Sequence, residues 1–232
     1  MLVGLIFLTG FGGYYSLFAL FGLIFCGLLV VAYRKEFWKS AYAVGFTGAT
    51  ILFGTVLNIY PTLLYTRANG RNLESLIRIP LESELYSLKF SQLFLPNGYH
   101  VLGVFRQLSD FFNFNSSSIN ENLTVTVGLL PALGVLACLF FLLYRITMPY
   151  NKAGELLNDK RVLISGLFIL FFILLTSVGG WVSLYALLVN STARGWNRVS
   201  IFIACFGLIT LCILLDSFYH YSKLLRNNKW LT

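Results

Sequence analysis

The stretch VSIFIACFGLITLCILLDSFY, residues 199–219, carries a single charged side chain, Asp216, in 21 consecutive positions. A helix needs about 20 predominantly apolar residues to cross the hydrocarbon core of a bilayer, and this stretch has that length. Stretches of similar character lie at 14–31, 41–64 and 123–144. The sequence therefore predicts an integral membrane protein with several spanning helices.

The composition agrees with this prediction. The chain is 57% hydrophobic and 11% charged, whereas a soluble domain has roughly 25% charged residues. A fifth uncharged stretch, 162–193, is interrupted by Gly179 and Gly180, which predicts a span ending near Ser177 and then a shorter helix at the membrane face. The predicted fold class is all-α: a polytopic transmembrane helical bundle with about five spans, re-entrant or interfacial helices and one structured external loop.

The distribution of charge predicts the topology. Lys and Arg are in excess at 34–39, 145–161 and 223–229, which lie on one side if five spans alternate, and the positive-inside rule makes that side cytoplasmic. The loop 65–121 balances five basic against five acidic residues and is predicted outside, together with Arg194 and Arg198. Membrane lipids are the expected partners. The net charge of +8 does not predict nucleic acid binding, because no compact basic face with interleaved aromatic residues occurs.

The sequence contains no recognisable cofactor motif. It lacks a phosphate-binding loop, a dinucleotide fingerprint, a zinc-binding helix motif and a nucleophile elbow. The four cysteines lie in apolar stretches without metal-like spacing and are predicted to be packing residues. No cofactor or metal site is therefore predicted, the need for a metal stays open, and no catalytic residue is assigned.

The external loop is too long for a connection without structure. Its piece LESELYSLKFSQLFL, 81–95, has leucines at three- to four-residue spacing after Pro80, which predicts an amphipathic helix at the membrane interface or over the outer mouth of the bundle. A turn at 96–98 ends it, and a second short segment is predicted from His100 to Phe112.

Polar residues near the predicted outer surface have two readings. The loop residues either converge on a site that holds an anionic group and moves a proton, or they are ordinary solvated charges. These loop residues are Glu82, Glu84, Lys89, His100, Arg106 and Glu121. Arg194 and Arg198 either bind phosphate oxygens or reach lipid headgroups, with Trp196 as an interfacial anchor. Asn197 is predicted to cap the last span and leave helix amides open to an anion.

Four pieces of the chain carry a family resemblance. In order, RIPLESELYSLKFSQLFLPNGYH, NENLTVTVGLL, SVGGWVSLYALLV and ARGWNRVSIFIACF resemble the C-terminal membrane half of bacterial multi-pass proteins described as glycosyltransferases or sugar translocases. These proteins are related in outline to the GT-C class, which uses polyprenyl-phosphate-linked sugars. The resemblance implies a plasma-membrane protein with substrate-binding residues at Arg78, Glu84, Lys89, His100, Glu121, Asn197 and Arg198, and Arg194 is added from its position.

The resemblance also bears on the extent of the protein. GT-C enzymes place their catalytic acid in a first external loop, and nothing in this sequence matches that loop. Residues 2–9 are also too short to cross a membrane alone. Residues 1–232 are therefore expected to be a single transmembrane domain belonging to a longer protein, with upstream helices or a partner subunit. The alternatives are a carrier or flippase for lipid-linked saccharides and a noncatalytic membrane scaffold.

Overall fold

The computed structural model describes residues 13–34, 37–70, 78–116, 125–147, 159–189, 191, 193 and 195–228. Eight α-helices lie within these ranges, together with two 3-10 turns, Phe90–Leu93 and Trp196–Val199. The helices are α1 Gly13–Arg34, α2 Phe37–Asn69, α3 Pro80–Leu85, α4 Gly103–Asn115, α5 Leu129–Thr147, α6 Lys160–Thr176, α7 Trp181–Leu188 and α8 Ser200–Asn228. The predicted all-α class is confirmed.

Four helical segments of the described residues are long and apolar enough to span a membrane: α1, α2, α5 and the Trp196 turn continued into α8. The chain is thus a multi-pass integral membrane protein. Helix α6 has 17 residues, or about 26 Å at the helical rise, which is at the short end of the spanning range. The fifth span therefore stays a prediction.

Helices α5, α6 and α8 pack against one another and form the centre of the bundle. The contact between α5 and α8 is closest at Gly134 and Gly207: a methyl group added at Gly134 would overlap the carbonyl oxygen of Gly207. One added at Gly207 would lie 2.5 Å from the carbonyl oxygen of Pro131. Only glycine permits this approach of two backbones, which membrane helices use to maximise van der Waals contact.

Cys138 joins the same three helices. Thr210 of α8 donates its hydroxyl to Cys138 Sγ at 3.2 Å, and Cys138 Sγ donates to the carbonyl oxygen of Val162 in α6 at 3.4 Å. Cys138 is buried, as predicted for a packing cysteine, but Cys26, Cys205 and Cys212 are exposed on the bundle surface. The packing role predicted for those three is wrong, because their side chains are exposed and not enclosed between helices.

Helix α1 packs against α6 through aromatic rings, and α2 packs against α1. Phe25 stacks in parallel on Phe171 with centroids 4.2 Å apart and meets Phe168 edge to face. Ser40 of α2 donates to the carbonyl oxygen of Gly27 at 3.0 Å. Beyond this contact α2 diverges, and residues 56–70 are exposed along their whole length. Helix α2 is therefore attached to the bundle through α1.

Asp159 caps the start of α6. Its carboxylate accepts a hydrogen bond from the backbone amide of Arg161 at 2.8 Å and pairs with the Arg161 guanidinium at 2.8 Å. Hydrogen bonding from the Arg161 side chain lowers the pKa of Asp159. An ionised N-cap suits the positive end of a helix dipole, so Asp159 fixes both the start of α6 and the Arg161 side chain.

The amphipathic helix predicted at 81–95 is wrong in extent. Helix α3 ends at Leu85, and Leu88 then pairs by its backbone with the end of α6: its amide donates to Thr176 O at 2.8 Å, and its carbonyl accepts from Val178 N at 3.2 Å. This tertiary pairing needs an extended backbone and overrides the local helical pattern. The second predicted segment is helix α4, which extends to Asn115.

Candidate functional site

Trp196 lies at the centre of one end of the helical bundle. The charge distribution predicts that this end is outside. It is 0% exposed, and its ring centroid lies 5.9 Å from Phe18, 6.4 Å from Phe21 and 5.5 Å from Tyr185. Its indole Nε1 donates to the carbonyl oxygen of Ala193 at 2.9 Å. Of the two readings of this segment, the one in which Trp196 anchors at the lipid interface does not fit, because the ring is buried between α1, α7 and the start of α8.

The external loop docks on the same turn. The backbone amide of Asn197 donates to Tyr86 O at 3.0 Å, and Ser83 donates its hydroxyl to Ala193 O at 3.2 Å. Ser191 likewise donates to the carbonyl oxygen of Arg78 at 3.0 Å. The loop and the Trp-Asn-Arg turn thus lie on one surface, as predicted. We call this assembly of α3, residues 86–95, α7 and the turn Trp196–Val199 the outer cap.

Arg198 is the exposed cation of the outer cap. Its guanidinium carbon lies 5.0 Å from the centroid of the Tyr14 ring on α1. Gly195 lies beneath the pair: a methyl group added there would be 3.3 Å from Arg198 Nε and 3.4 Å from Tyr14. Within the described part of the chain no carboxylate pairs with Arg198. The structure therefore holds this guanidinium over the Tyr14 ring, and no acid among the described residues compensates its charge.

Asn197 has a structural position in the outer cap. It is buried and is the second residue of the 3-10 turn Trp196–Val199. The prediction that Asn197 caps the last span is wrong, because the 3-10 turn intervenes before α8 begins at Ser200. Its backbone amide donates to Tyr86 O, which ties the turn that carries Arg198 to residues 86–95.

Two further predicted residues, Arg78 before α3 and Glu84 within it, do not join Arg198 through any described contact. Arg78 pairs with Glu82 at 3.4 Å, and Glu84 is half-buried without an ion pair in the described ranges. Glu121 and Arg194 lie outside the described residues.

Lys89 and His100 are held toward α4 instead. Lys89 Nζ donates to Ser116 Oγ at 3.4 Å, and burial lowers the pKa of this lysine. His100 Nδ1 accepts from the backbone amide of Leu102 at 3.1 Å, and its ring meets Phe105 edge to face at 4.9 Å. His100 therefore lies where the chain enters α4, whereas Lys89 contacts the residue that follows the end of this helix. No cluster of His, Cys, Asp and Glu that could hold a metal occurs among the described residues.

Gln92 is a polar residue of the outer cap that the sequence did not single out. It is 5% exposed, and neither its amide nitrogen nor its amide oxygen has a hydrogen-bond partner among the described residues. Burying an unsatisfied amide costs about 1–3 kcal/mol. Its sequence position, on the polar side of a predicted helix, gave no sign of this burial.

Replacing Gln92 with methionine is expected to raise the free energy of unfolding by about 1 kcal/mol, because methionine keeps the length of the side chain and removes the unsatisfied amide. Thermal unfolding of the purified protein in detergent measures the change. Gln107→Met, on the exposed surface of α4, is the matched control and should leave the melting temperature unchanged. A lower melting temperature for Gln92→Met alone would contradict this account of Gln92.

An apolar groove descends from the outer cap between α1, α6 and the start of α7. Its cavity volume is about 530 Å³, within the range of roughly 300–1,000 Å³ typical of ligand pockets. Its lining residues are Phe21, Ile24, Phe25, Leu28, Leu167, Leu170, Phe171, Leu174, Leu175 and Trp181. Tyr14 and Phe21 are seven residues apart and so share one face of α1. The Arg198 and Tyr14 stack is therefore two turns, about 10 Å, above this outer groove.

The fold and the site define the class of the protein: a multi-pass helical membrane protein with an exposed arginine above an apolar groove. Comparison with protein-family models, with curated proteins and with solved structures found no match to the chain. The resemblance to bacterial glycosyltransferase-like membrane proteins therefore stays a prediction.

Proposed function

We propose that the chain is part of a glycosyltransferase-like integral membrane protein of the bacterial plasma membrane. In this proposal it binds a polyprenyl-phosphate-linked sugar at the outer face. The supporting observation is an exposed guanidinium above an apolar groove. Arg198 supplies the cation, and Tyr14 of α1 orients it. The groove runs along α1 and begins two turns below Tyr14, at Phe21.

The guanidinium of Arg198 suits the phosphate. It keeps its charge at any physiological pH and presents five N–H donors in a planar fork. The contact with Tyr14 is a cation–π contact to the ring, and it uses none of the oxygen-seeking N–H bonds that a phosphate would accept. Charged residues next to apolar spans characteristically serve ligands or ion pairs, and no acid in the described ranges pairs with this one.

The outer groove suits the polyprenyl chain. Its walls consist of leucine, isoleucine and aromatic side chains from two helices that both face the bilayer. An apolar chain can therefore enter sideways from the lipid while its phosphate stays at the membrane boundary. Trp181, at the start of α7, is exposed at the outer end of the groove, where an amphipathic ring separates the headgroup region from the hydrocarbon.

The carrier reading is less well supported. A carrier places polar groups near the bilayer midplane to hold its cargo, but two of the polar side chains available there donate to carbonyl oxygens of their own helix. Asn58 donates to Gly54 O at 3.0 Å, and Thr50 donates to Phe46 O at 2.9 Å. Binding at the outer face needs neither residue, which favours the glycosyltransferase-like reading.

Substitution of Arg198 tests the proposal. Arg198→Ala is expected to weaken binding of polyprenyl phosphate at least tenfold, since a hydrogen bond to a charged group contributes about 1.5–3 kcal/mol. Arg198→Lys should lie between this variant and the wild type, because lysine keeps the charge and loses the fork. The measurement is a dissociation constant for labelled polyprenyl phosphate with the full chain in nanodiscs.

The matched control is Arg106→Ala, which removes an exposed arginine from α4 on the same side of the chain and should change the dissociation constant less than twofold. Polyprenyl alcohol, which lacks the phosphate, should bind the wild type and Arg198→Ala equally. Unchanged phosphate affinity in both Arg198 variants would refute the proposal.

A further inference from the structure

A second groove lies between α1 and α6 near the end of the bundle that the charge distribution predicts to be cytoplasmic. Its cavity volume is about 310 Å³, and α1 contributes Cys26, Leu29, Val30 and Tyr33. Helix α6 contributes Lys160, Leu163, Ile164, Leu167 and Phe168. We call it the inner groove. It is apolar along its length except at one end, where Lys160 lies.

Lys160 is the available cation of this end. It is exposed, and its Nζ lies 5.6 Å from the centroid of the Tyr33 ring across the groove. The neighbouring Arg161 is engaged by Asp159 at 2.8 Å, whereas no carboxylate in the described ranges pairs with Lys160. Two adjacent cations thus differ: Arg161 is paired with a carboxylate, and Lys160 is paired with none in the part of the chain that the structure describes.

We propose that the inner groove binds an anionic phospholipid of the cytoplasmic leaflet, with one acyl chain between α1 and α6 and its phosphate at Lys160. Charge complementarity selects this occupant: the walls match a hydrocarbon chain, and Lys160 is the cation among the lining residues. Lysine at a membrane surface characteristically keeps its ammonium at the headgroup region while its stem covers apolar surface. This inference does not depend on the proposed function, because it uses neither Arg198 nor the outer groove.

The headgroup contact is tested with Lys160→Gln in the full chain. We expect the wild type to retain phosphatidylglycerol in preference to phosphatidylcholine with the same acyl chains, as measured by native mass spectrometry of bound lipid. Lys160→Gln should lower phosphatidylglycerol affinity about fivefold, the effect of one cation near an anionic surface. Arg161→Gln removes the adjacent paired cation and should change the affinity less than twofold.

The acyl-chain contact is tested by filling the groove. Cys26→Phe places a large ring where Cys26 now lines the cavity. This variant should bind less of both lipids, and the lipid that it still binds should be mainly phosphatidylglycerol. Equal binding of the two lipids by the wild type, or the same loss in Lys160→Gln and Arg161→Gln, would overturn the inference and leave Lys160 as an ordinary surface lysine. All three positions are exposed, so these variants are expected to fold.

Discussion

Gly134→Ala is expected to lower the free energy of unfolding by about 3 kcal/mol, at the upper end of the usual cost of overpacking. The added methyl group meets the backbone carbonyl of Gly207, which cannot rotate away as a side chain can. Helices α5 and α8 must therefore separate along the contact that forms the centre of the bundle. Thermal unfolding in detergent should show a melting temperature roughly 10 °C lower.

Gly45→Ala is the matched control for this change. Gly45 also lies inside a spanning helix, but nothing is within 4 Å of an added methyl group there. Alanine should therefore be neutral at Gly45 or stabilise α2 by up to about 1 kcal/mol through its higher helix propensity. Equal melting temperatures for Gly134→Ala and the wild type would show that α5 and α8 do not approach as closely as described.

Trp196→Ala should have a comparable effect at the outer end, because removing a buried tryptophan costs about 3–5 kcal/mol. The indole contacts Phe18 and Tyr185, so its loss leaves a cavity where α1, α7 and α8 meet. We also expect faster hydrogen exchange of residues 86–95, whose contact with the turn runs through Tyr86 and Asn197. Thermal unfolding and hydrogen exchange measure the two effects.

The control for this change is Trp38→Ala on α2, where the side chain is 82% exposed and its removal should cost well under 1 kcal/mol. Trp196→Phe is an intermediate change: it keeps one aromatic ring and loses the bond to Ala193 and the second ring of the indole, for an expected cost of about 1–3 kcal/mol. If Trp196→Ala and Trp38→Ala had the same melting temperature, Trp196 would not be the centre of the outer cap.

The spanning helices could be predicted from sequence because hydropathy over some 20 residues is a local property. The apolar stretch at 199–219 lies within α8, and the stretch at 14–31 lies within α1. Contacts between distant segments could not be predicted in this way. The pattern at 81–95 favoured one helix, yet Leu88 satisfies its backbone on Thr176, nearly ninety positions away in the chain.

One residue of the candidate site, Arg198, could be singled out from the sequence, whereas its contacts depend on tertiary structure. Arg198 was identified from its residue type beside an apolar span, a signal that survives without a fold. Its partner Tyr14 lies at the far end of the chain, where no local pattern links the two. A tryptophan at the end of a span usually marks the interface, so Trp196 was placed there by a rule that fails when three helices converge on the ring.

Helix α1 is a shared wall of the inner and outer grooves: Tyr33 and Val30 line one, Phe21 and Leu28 the other. Leu167 of α6 lines both. A larger side chain at Leu167 would therefore narrow both cavities at once, although they lie toward opposite ends of the bundle.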